Sequence, residues 1–237
     1  MKYPKKRAKL SPDAQLIRTT NLPKNADKFP YILECFPNKF YEKKFNYQYV
    51  VNATFDLEEG DFYEFPVNMR RQYLRNTLEY FDMGEQMDLY LYEWADKIED
   101  YVKHTFNVNY KTIGDKWGNT LKETTAYDSQ QDNRIATYIK DVKSNHVTVQ
   151  TRKVAVEPST FYRSDGLFMR VYVEYKVTAD KYTDDISDFV YCRGGNIKEF
   201  KLGEWVISYL DVEMRNLNPC YGDGSTYGAY STWYSTY

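Results

Sequence analysis

Residues able to carry chemistry are few and scattered in this sequence. It contains two histidines, His104 and His146, and three cysteines, Cys35, Cys192 and Cys220, with no CxxC spacing. An odd number of widely separated cysteines argues against a disulfide framework and a zinc site, and fits a reducing compartment. The glycine-rich, HExxH and GxSxG motifs that mark nucleotide-binding or hydrolytic sites are also missing. We therefore expect no cofactor and no bound metal.

Acidic residues gather in one predicted turn, at Asp180, Asp184, Asp185 and Asp188. Their spacing lacks the glycine and the closing glutamate of a calcium loop, so a solvated turn is the favoured interpretation over an ion site. An enzyme would need an acidic pair such as Asp184 with Asp185, which is the less favoured alternative. His104 falls in the last turn of a predicted helix, where the helix dipole favours a cation. We predict no catalytic residues and no enzymatic activity.

Charge is distributed unevenly along the chain. Residues 1–44 hold eleven Lys and Arg against four Asp and Glu, whereas residues 56–100 hold thirteen Asp and Glu against four Lys and Arg, although the whole chain has a net charge of only −2. Such blocks are usually solvated faces, but they can also meet across a subunit boundary. The cluster at Lys5, Lys6 and Arg7 is predicted to anchor the chain on a partner, with incidental contact to DNA phosphates as a further possibility.

Aromatic residues supply much of the apolar surface, with 25 Tyr among 237 residues. Tyrosine buries a large ring yet keeps a hydroxyl for a partner, which suits surfaces that another molecule covers. The predicted interface residues of the C-terminal tail are Tyr221, Tyr227, Tyr230, Trp233, Tyr234 and Tyr237. An alternative keeps Trp117, Trp205 and Trp233 as stacking platforms of a β-sandwich module that binds carbohydrate or a cell surface.

Strand patterns position these residues. Residues 168–177 alternate, with Met169, Val171, Val173, Tyr175 and Val177 on one side, which predicts a strand with one buried face. Residues 204–214 predict a second long strand, apolar on both faces at its start. Shorter strands are predicted at 186–191 and 197–202. These four strands together are expected to form an antiparallel sheet.

Helical patterns precede that sheet. After a first strand at 45–55, helices are predicted at about 67–81 and 84–105, the second with support from Glu93–Lys97 and Glu99–Lys103 pairs. Residues 107–145 are predicted to form a projecting loop or hairpin with a short helix at 132–142. Residues 146–151 and 153–156 predict a strand or strand pair ended by Pro158. The fold class is therefore α+β: an antiparallel sheet or sandwich with one or two long helices inserted after the first strand.

Three regions follow from this pattern: a proline-punctuated basic arm at 1–44, an α+β core at 45–214 and a Tyr/Ser/Gly-rich tail at 215–237. We predict that residues 1–30 lie on a neighbouring subunit; the alternative is a strap across the arm's own domain. We predict that the tail is buried at an intersubunit boundary, in part as a strand added to a neighbour's sheet. No stretch approaches the roughly 18 apolar residues of a membrane span, so none is expected.

The combination of an α+β core, a proline-punctuated arm and a Tyr-, Ser-, Thr- and Gly-rich tail resembles virion components of tailed bacteriophages. The Tyr, Asn and Lys usage and the segment at 200–212, which reads FKLGEWVISYLDV, are similar to those of crAss-like phages. The resemblance implies a ring, neck or tail protein near the portal that forms a closed homo-oligomeric ring. It implies that the partners are copies of the chain and adjacent virion proteins, and that the chain resides in the virion after assembly in the host cytoplasm.

Overall fold

The fold is taken from a computed structural model of the chain. It describes residues 10, 15–29, 31–43, 87–125, 130–163, 167–180, 190–191, 202–216 and 227–234. The strand expected at 45–55, the helix at 67–81 and most of the segments expected as short strands at 186–191 and 197–202 lie outside these residues, as does the basic cluster at 5–7.

An antiparallel sheet of five strands forms the centre of the described structure. In chain order the strands are β1 (Val108–Asn109), β2 (Thr148–Arg163), β3 (Leu167–Thr178), β4 (Trp205–Asn216) and β5 (Tyr227–Tyr234). Each strand pairs with the next, so the spatial order equals the chain order. With the helices described below, this confirms the predicted α+β class with an antiparallel sheet.

The alternating pattern of β3 sets its inner face. The five apolar side chains predicted to share one side are buried: Met169, Val171, Val173, Tyr175 and Val177. The prediction of a single buried face is nevertheless wrong for the first half of the strand. Arg170 and Tyr172, on the other side, are also buried, because a second layer of the chain covers them.

Strand β2 runs through a proline that was expected to end it. Its register against β3 shifts between Glu157 and Tyr162, and Pro158 lies within that irregular stretch. Proline has no amide proton for a ladder hydrogen bond, and an irregular register is where strands tolerate it. A second shift lies between Thr151 and Lys153, at the place where the sequence suggested two separate strands.

Two of the described α-helices precede β1 in the chain. Helix α2 (Met87–Thr105) confirms the long helix predicted there, and its residues Trp94, Ile98, Tyr101 and Val102 are buried. Both predicted ion pairs form: Lys97 Nζ lies 3.1 Å from Glu93 Oε1, and Lys103 contacts Glu99. A shorter helix, α1 (Asn38–Glu42), lies in the N-terminal arm.

The loop or hairpin predicted for 107–145 is wrong for the described residues. They form α3 (Asp115–Thr124) and α4 (Gln131–Ser144), of which only the second was expected. Gly118 lies inside α3. A Cβ atom there would stand 2.7 Å from Ile135 Cγ2 of α4, so the glycine allows the two helices to approach closely.

Residues 15–43 of the N-terminal arm lie on their own sheet. Residues 16–18 pair with 32–34, through Arg18 N to Ile32 O (2.7 Å) and Glu34 N to Leu16 O (2.9 Å). Six arm residues are buried in the core: Phe29, Ile32, Leu33, Phe36, Phe40 and Tyr41. For residues 15–29 the prediction that they lie on a neighbouring subunit is wrong, because residues 16–18 pair with residues 32–34 of the same chain and Phe29 is buried in its own core.

The C-terminal tail contributes β5, which pairs with β4 of the same chain from Leu210↔Tyr234 to Asn216↔Tyr227. The expectation that this part adds to a neighbour's sheet is therefore wrong, because the edge offered by β4 is available within the chain. None of the helices in the described ranges has the length and apolar character that crossing a bilayer demands.

The approach of α3 and α4 gives a stability prediction. Replacing Gly118 with Val adds atoms where a Cβ already meets Ile135 at 2.7 Å, so we expect a loss of about 1–3 kcal/mol in the free energy of unfolding. Asn119→Val is the control, because it adds the same side chain at the next, exposed position of α3; it should change stability by less than about 0.5 kcal/mol. Urea unfolding measures both, and equal effects would refute the close-packing explanation.

Candidate interaction surface

The N-terminal arm covers one part of the outer sheet face, which is the face opposite α2. This cover ends near the cross-strand partners Tyr172 and Tyr209. Two rings of the arm pack on them edge-on: Phe36 with Tyr172 at 6.5 Å and Phe40 with Tyr209 at 5.6 Å between centroids. Aromatic pairs favour this geometry and bury large areas. The arm thus covers the part of the face toward the start of β3.

Under the arm lies a buried ion pair. Arg170 and Asp211 are directly opposite on β3 and β4, and both side chains are fully buried. Arg170 donates from Nε to Asp211 Oδ1 (2.9 Å) and from the second terminal nitrogen to Oδ2 (3.2 Å). Such a two-pronged contact is the strongest geometry for this pair.

The same guanidinium holds the arm. Its remaining nitrogen, Nη1, donates to the carbonyl oxygens of Lys43 (2.7 Å) and Phe40 (3.3 Å) at the end of α1. The last carbonyls of a helix have no partners within the helix, and a cation placed there is favoured by the helix dipole. Arg170 therefore joins two strands and the arm through one side chain.

A second buried contact joins the arm to β2. The Tyr41 hydroxyl donates to Glu157 and accepts from the amide of Leu33 at 2.9 Å. Burial, reinforced by the Glu157 carboxylate, raises the pKa of Tyr41 far above its usual range. The phenol therefore stays protonated and keeps its role as a donor at any ordinary pH.

Beyond the arm, the outer face bears a mixed patch that we call the outer-face patch: Arg152, Glu174, Lys176, Trp205 and Ile207. Arg152 is the extra residue at the first register shift of β2, and a bulge of this kind redirects a side chain. Its Nε donates to Glu174 Oε2 at 2.5 Å, and its side chain is 54% exposed.

The carboxylate of Glu174 is fixed from two sides. The Tyr172 hydroxyl donates to it, as does Arg152. These two hydrogen bonds lower the pKa of Glu174, while burial and then Glu174 raise the pKa of Tyr172 well above its usual range. Glu174 is thus a carboxylate fixed by two hydrogen-bond donors, and it is surrounded in the patch by cationic and apolar side chains.

The apolar part of the patch is open to solvent. Trp205 is 41% exposed and Ile207 is 52% exposed. They are two residues apart on β4 and so share one face. Arg152 lies 4.7 Å and Lys176 5.3 Å from the Trp205 ring centroid, which are cation–π distances. The patch therefore combines the aromatic, aliphatic and arginine side chains that are enriched in protein interfaces.

The sequence held one signal for this patch. The start of β4 was expected to be apolar on both faces, and Val206 faces inward while Trp205 and Ile207 face outward. Arg152 and Glu174 were not singled out, because a bulge that turns one arginine onto the outer face cannot be inferred from a period-2 pattern.

Trp117, which falls in the segment predicted as a loop, contacts three other rings. It stacks on His104 at 4.9 Å and contacts Tyr138 at 5.3 Å and Tyr191 at 5.8 Å. His104 Nε2 lies 2.9 Å from the Trp117 carbonyl oxygen, to which it donates. Trp117 is thus part of the helix packing, and Trp205 has cations over its ring. Trp117 therefore lacks the free ring face that the carbohydrate alternative requires, whereas Trp205 stays partly open to solvent.

The acidic turn has one described member. Asp180 Oδ2 accepts from His146 Nδ1 at 2.5 Å, and both side chains are largely exposed. Asp184, Asp185 and Asp188 lie outside the described residues. Within the part of the chain that the structure describes, no three His, Cys, Asp or Glu side chains are grouped closely enough to hold a metal ion.

The predicted interface residues are placed only in part. Tyr227, Tyr230, Trp233 and Tyr234 lie in β5, at the edge of the sheet. Tyr221, Tyr237, Lys5, Lys6 and Arg7 lie outside the described residues, and their predicted role stays a prediction.

Comparisons with known proteins add little to this picture. No family model matches the chain, and no curated protein matches it. A solved structure described as a periplasmic fragment of TraM is similar over 59% of this chain and 92% of its own length, at a TM-score of 0.32 and 9% identity. A likeness at this level supports no statement about function.

The buried pair gives a second prediction. Arg170→Met leaves Asp211 buried without its charge partner, which should lower the free energy of unfolding by about 3–5 kcal/mol. Adding Asp211→Leu removes the stranded charge and should restore part of that loss. Arg152→Met is the matched control, because the Arg152 side chain is 54% exposed and its removal should cost less than that of Arg170, about 1 kcal/mol. If the losses in unfolding free energy of Arg170→Met and Asp211→Leu simply add in the double variant, the two residues are not coupled.

His104 gives a prediction of pH dependence. Burial lowers its pKa from the usual value near 6.5, so in the folded state it stays neutral where the unfolded chain takes up a proton. Its contribution to stability is complete above about pH 6.5 and is lost as the pH falls below that value. His104→Gln removes the titration while His146 stays in both proteins. The stability difference between wild type and variant should shrink from pH 7.5 to pH 5.5 in urea titrations; a constant difference would contradict this.

Proposed function

We propose that this chain is a structural subunit of a phage virion: a ring protein of the head-to-tail connector or tail that assembles into a closed homo-oligomeric ring. Its role is structural and not enzymatic, and its place is the virion, after assembly in the host cytoplasm. The resemblance of the arm, the tail and residues 200–212 to virion proteins of tailed phages supports this assignment.

The observation that carries the proposal is the outer-face patch. Exposed Trp205 and Ile207 lie beside Arg152 on a rigid sheet, and strand positions hold side chains more precisely than loops do. An exposed cluster of large apolar groups rimmed by charges is typical of a protein-binding surface. A subunit that closes a ring needs such a surface on each copy.

Copies of the chain are the first partners in this proposal. Adjacent virion proteins, such as the portal or another ring or tail protein, are the second. Lys5, Lys6 and Arg7 are assigned a positional role there, with incidental DNA contact if the ring surrounds a lumen. These residues carry the charge for that role.

Measuring the mass of the purified chain tests the proposal. Mass photometry and native mass spectrometry over a range of protein concentrations should show one discrete oligomer, and electron microscopy should show closed rings with rotational symmetry. A chain that stays monomeric at high concentration, alone and with the other proteins of its source particle, would overturn the proposal. Cryo-electron microscopy of that particle would place the subunit directly.

A further inference from the structure

We infer that the outer-face patch binds the solvent face of helix α2 on a second copy of this chain. The inference rests on the proposed function and deepens it, because it names the two surfaces that meet between neighbouring subunits. Three observations support it: the charge of the patch, the charge of α2, and the position of the two surfaces on opposite sides of the sheet.

The patch carries more cations than anions; Arg152 is exposed, and Lys176 and Lys153 are half-buried. Arg152 and Lys176 belong to it, and Lys153 lies beside it with its ammonium 4.7 Å from the Tyr172 ring. Glu174 is the one acid in the patch, and it already accepts hydrogen bonds from Arg152 and Tyr172. A partner for this surface therefore needs acidic groups and some apolar contact for Trp205 and Ile207.

Helix α2 carries the complementary charge. Its sequence, MDLYLYEWADKIEDYVKHT, contains five acids and two lysines. The lysines are matched by acids on the helix itself, Lys97 by Glu93 and Lys103 by Glu99. Asp96 and Asp100 are both exposed, one turn apart, and so present two carboxylates on one side of the helix.

Apolar contact is available on the same surface. The aliphatic stems of Lys97 and Lys103 lie along the helix beside their acidic partners, and long charged side chains cover apolar rings with such stems while the charges stay in water. Trp205 and Ile207 of the patch can be buried against them as Arg152 and Lys176 meet Asp96 and Asp100.

The two surfaces lie on opposite faces of the sheet. Phe106, directly after α2, contacts Tyr175 of the inner face with ring centroids 5.0 Å apart, whereas the patch is on the outer face. A patch that met its own copy about a two-fold axis would place cations against cations. A contact between the patch of one copy and α2 of the next is instead head-to-tail. Such a contact repeats from copy to copy and forms a ring when the rotation between neighbouring copies closes on itself.

Exchanging the charges tests the inference. The patch variant is Arg152→Glu with Lys176→Glu, and the helix variant is Asp96→Lys with Asp100→Lys. Each places like charges across the contact, so each should raise the concentration for half-assembly roughly a hundredfold or more. The chain with all four changes pairs opposite charges again and should assemble close to wild-type concentrations. An equimolar mixture of the two variants should also assemble, because each can bind the other.

Controls separate charge from folding. Lys116→Glu with Lys140→Glu changes the net charge by the same amount as the patch variant, but at exposed positions of α3 and α4. This control should leave assembly unchanged. Urea unfolding shows whether each variant is folded. Ile207→Ser adds no charge opposite Glu174 and should also weaken assembly, which tests the apolar part of the contact without reversing any charge.

The outcomes distinguish this inference from the proposed function. A wild-type chain that never assembles overturns both. If the folded patch and helix variants still form the wild-type oligomer, the inference alone is overturned. The inference is also overturned if both two-residue variants are monomeric and the chain with all four changes stays monomeric too. In that last case the two surfaces meet other partners, such as an acidic segment of another virion protein at the patch.

Discussion

The buried contact of Arg170 with Asp211 is the interaction on which the outer half of the structure depends. Taking two charges out of water costs several kcal/mol for each ion unless the geometry and further hydrogen bonds compensate. Here both requirements are met, since the guanidinium contacts both carboxylate oxygens and two carbonyls of the arm. Removing the arm would expose this pair and leave the carbonyls without their donor. Hence sheet and arm stabilise each other, and the arm is a layer of the core.

The extent of the arm decides what the outer face can bind. Strands β3 and β4 are each twelve residues long, and the arm's rings reach only as far as Tyr172 and Tyr209. Past that point the face is closed by no other described segment: Trp205 and Ile207 stay exposed, and the bulge turns Arg152 toward them. One face therefore serves the core in one half and is available for a partner in the other.

Much of this fold follows from local sequence patterns, and the surface does not. The alternation in β3 and the three- and four-residue spacing in α2 report burial directly, so both elements and the ion pairs of α2 were predictable. Pro158 misled the prediction because a register shift accommodates it, and α3 was missed, where Gly118 allows a close contact with α4. The covering of Arg170 could not be inferred, since an alternating pattern assigns a charged residue to the solvent side. The position of the arm depends on contacts between residues more than a hundred positions apart in the chain, such as Arg170 with Phe40. The extent of the patch depends in turn on where the arm ends.

Native-state hydrogen exchange tests most directly whether the arm is part of the core. The relevant amides are those of Arg18, Leu33 and Glu34, which donate to Ile32 O (2.7 Å), the Tyr41 hydroxyl (2.9 Å) and Leu16 O (2.9 Å). If the arm folds with the sheet, the Leu33 amide should exchange only through global unfolding, at the same free energy as the amides of Val171 and Val173 in β3. Arg170→Met should lower the protection of the arm and the sheet together. Arm amides that exchange rapidly while β3 stays protected would contradict the account.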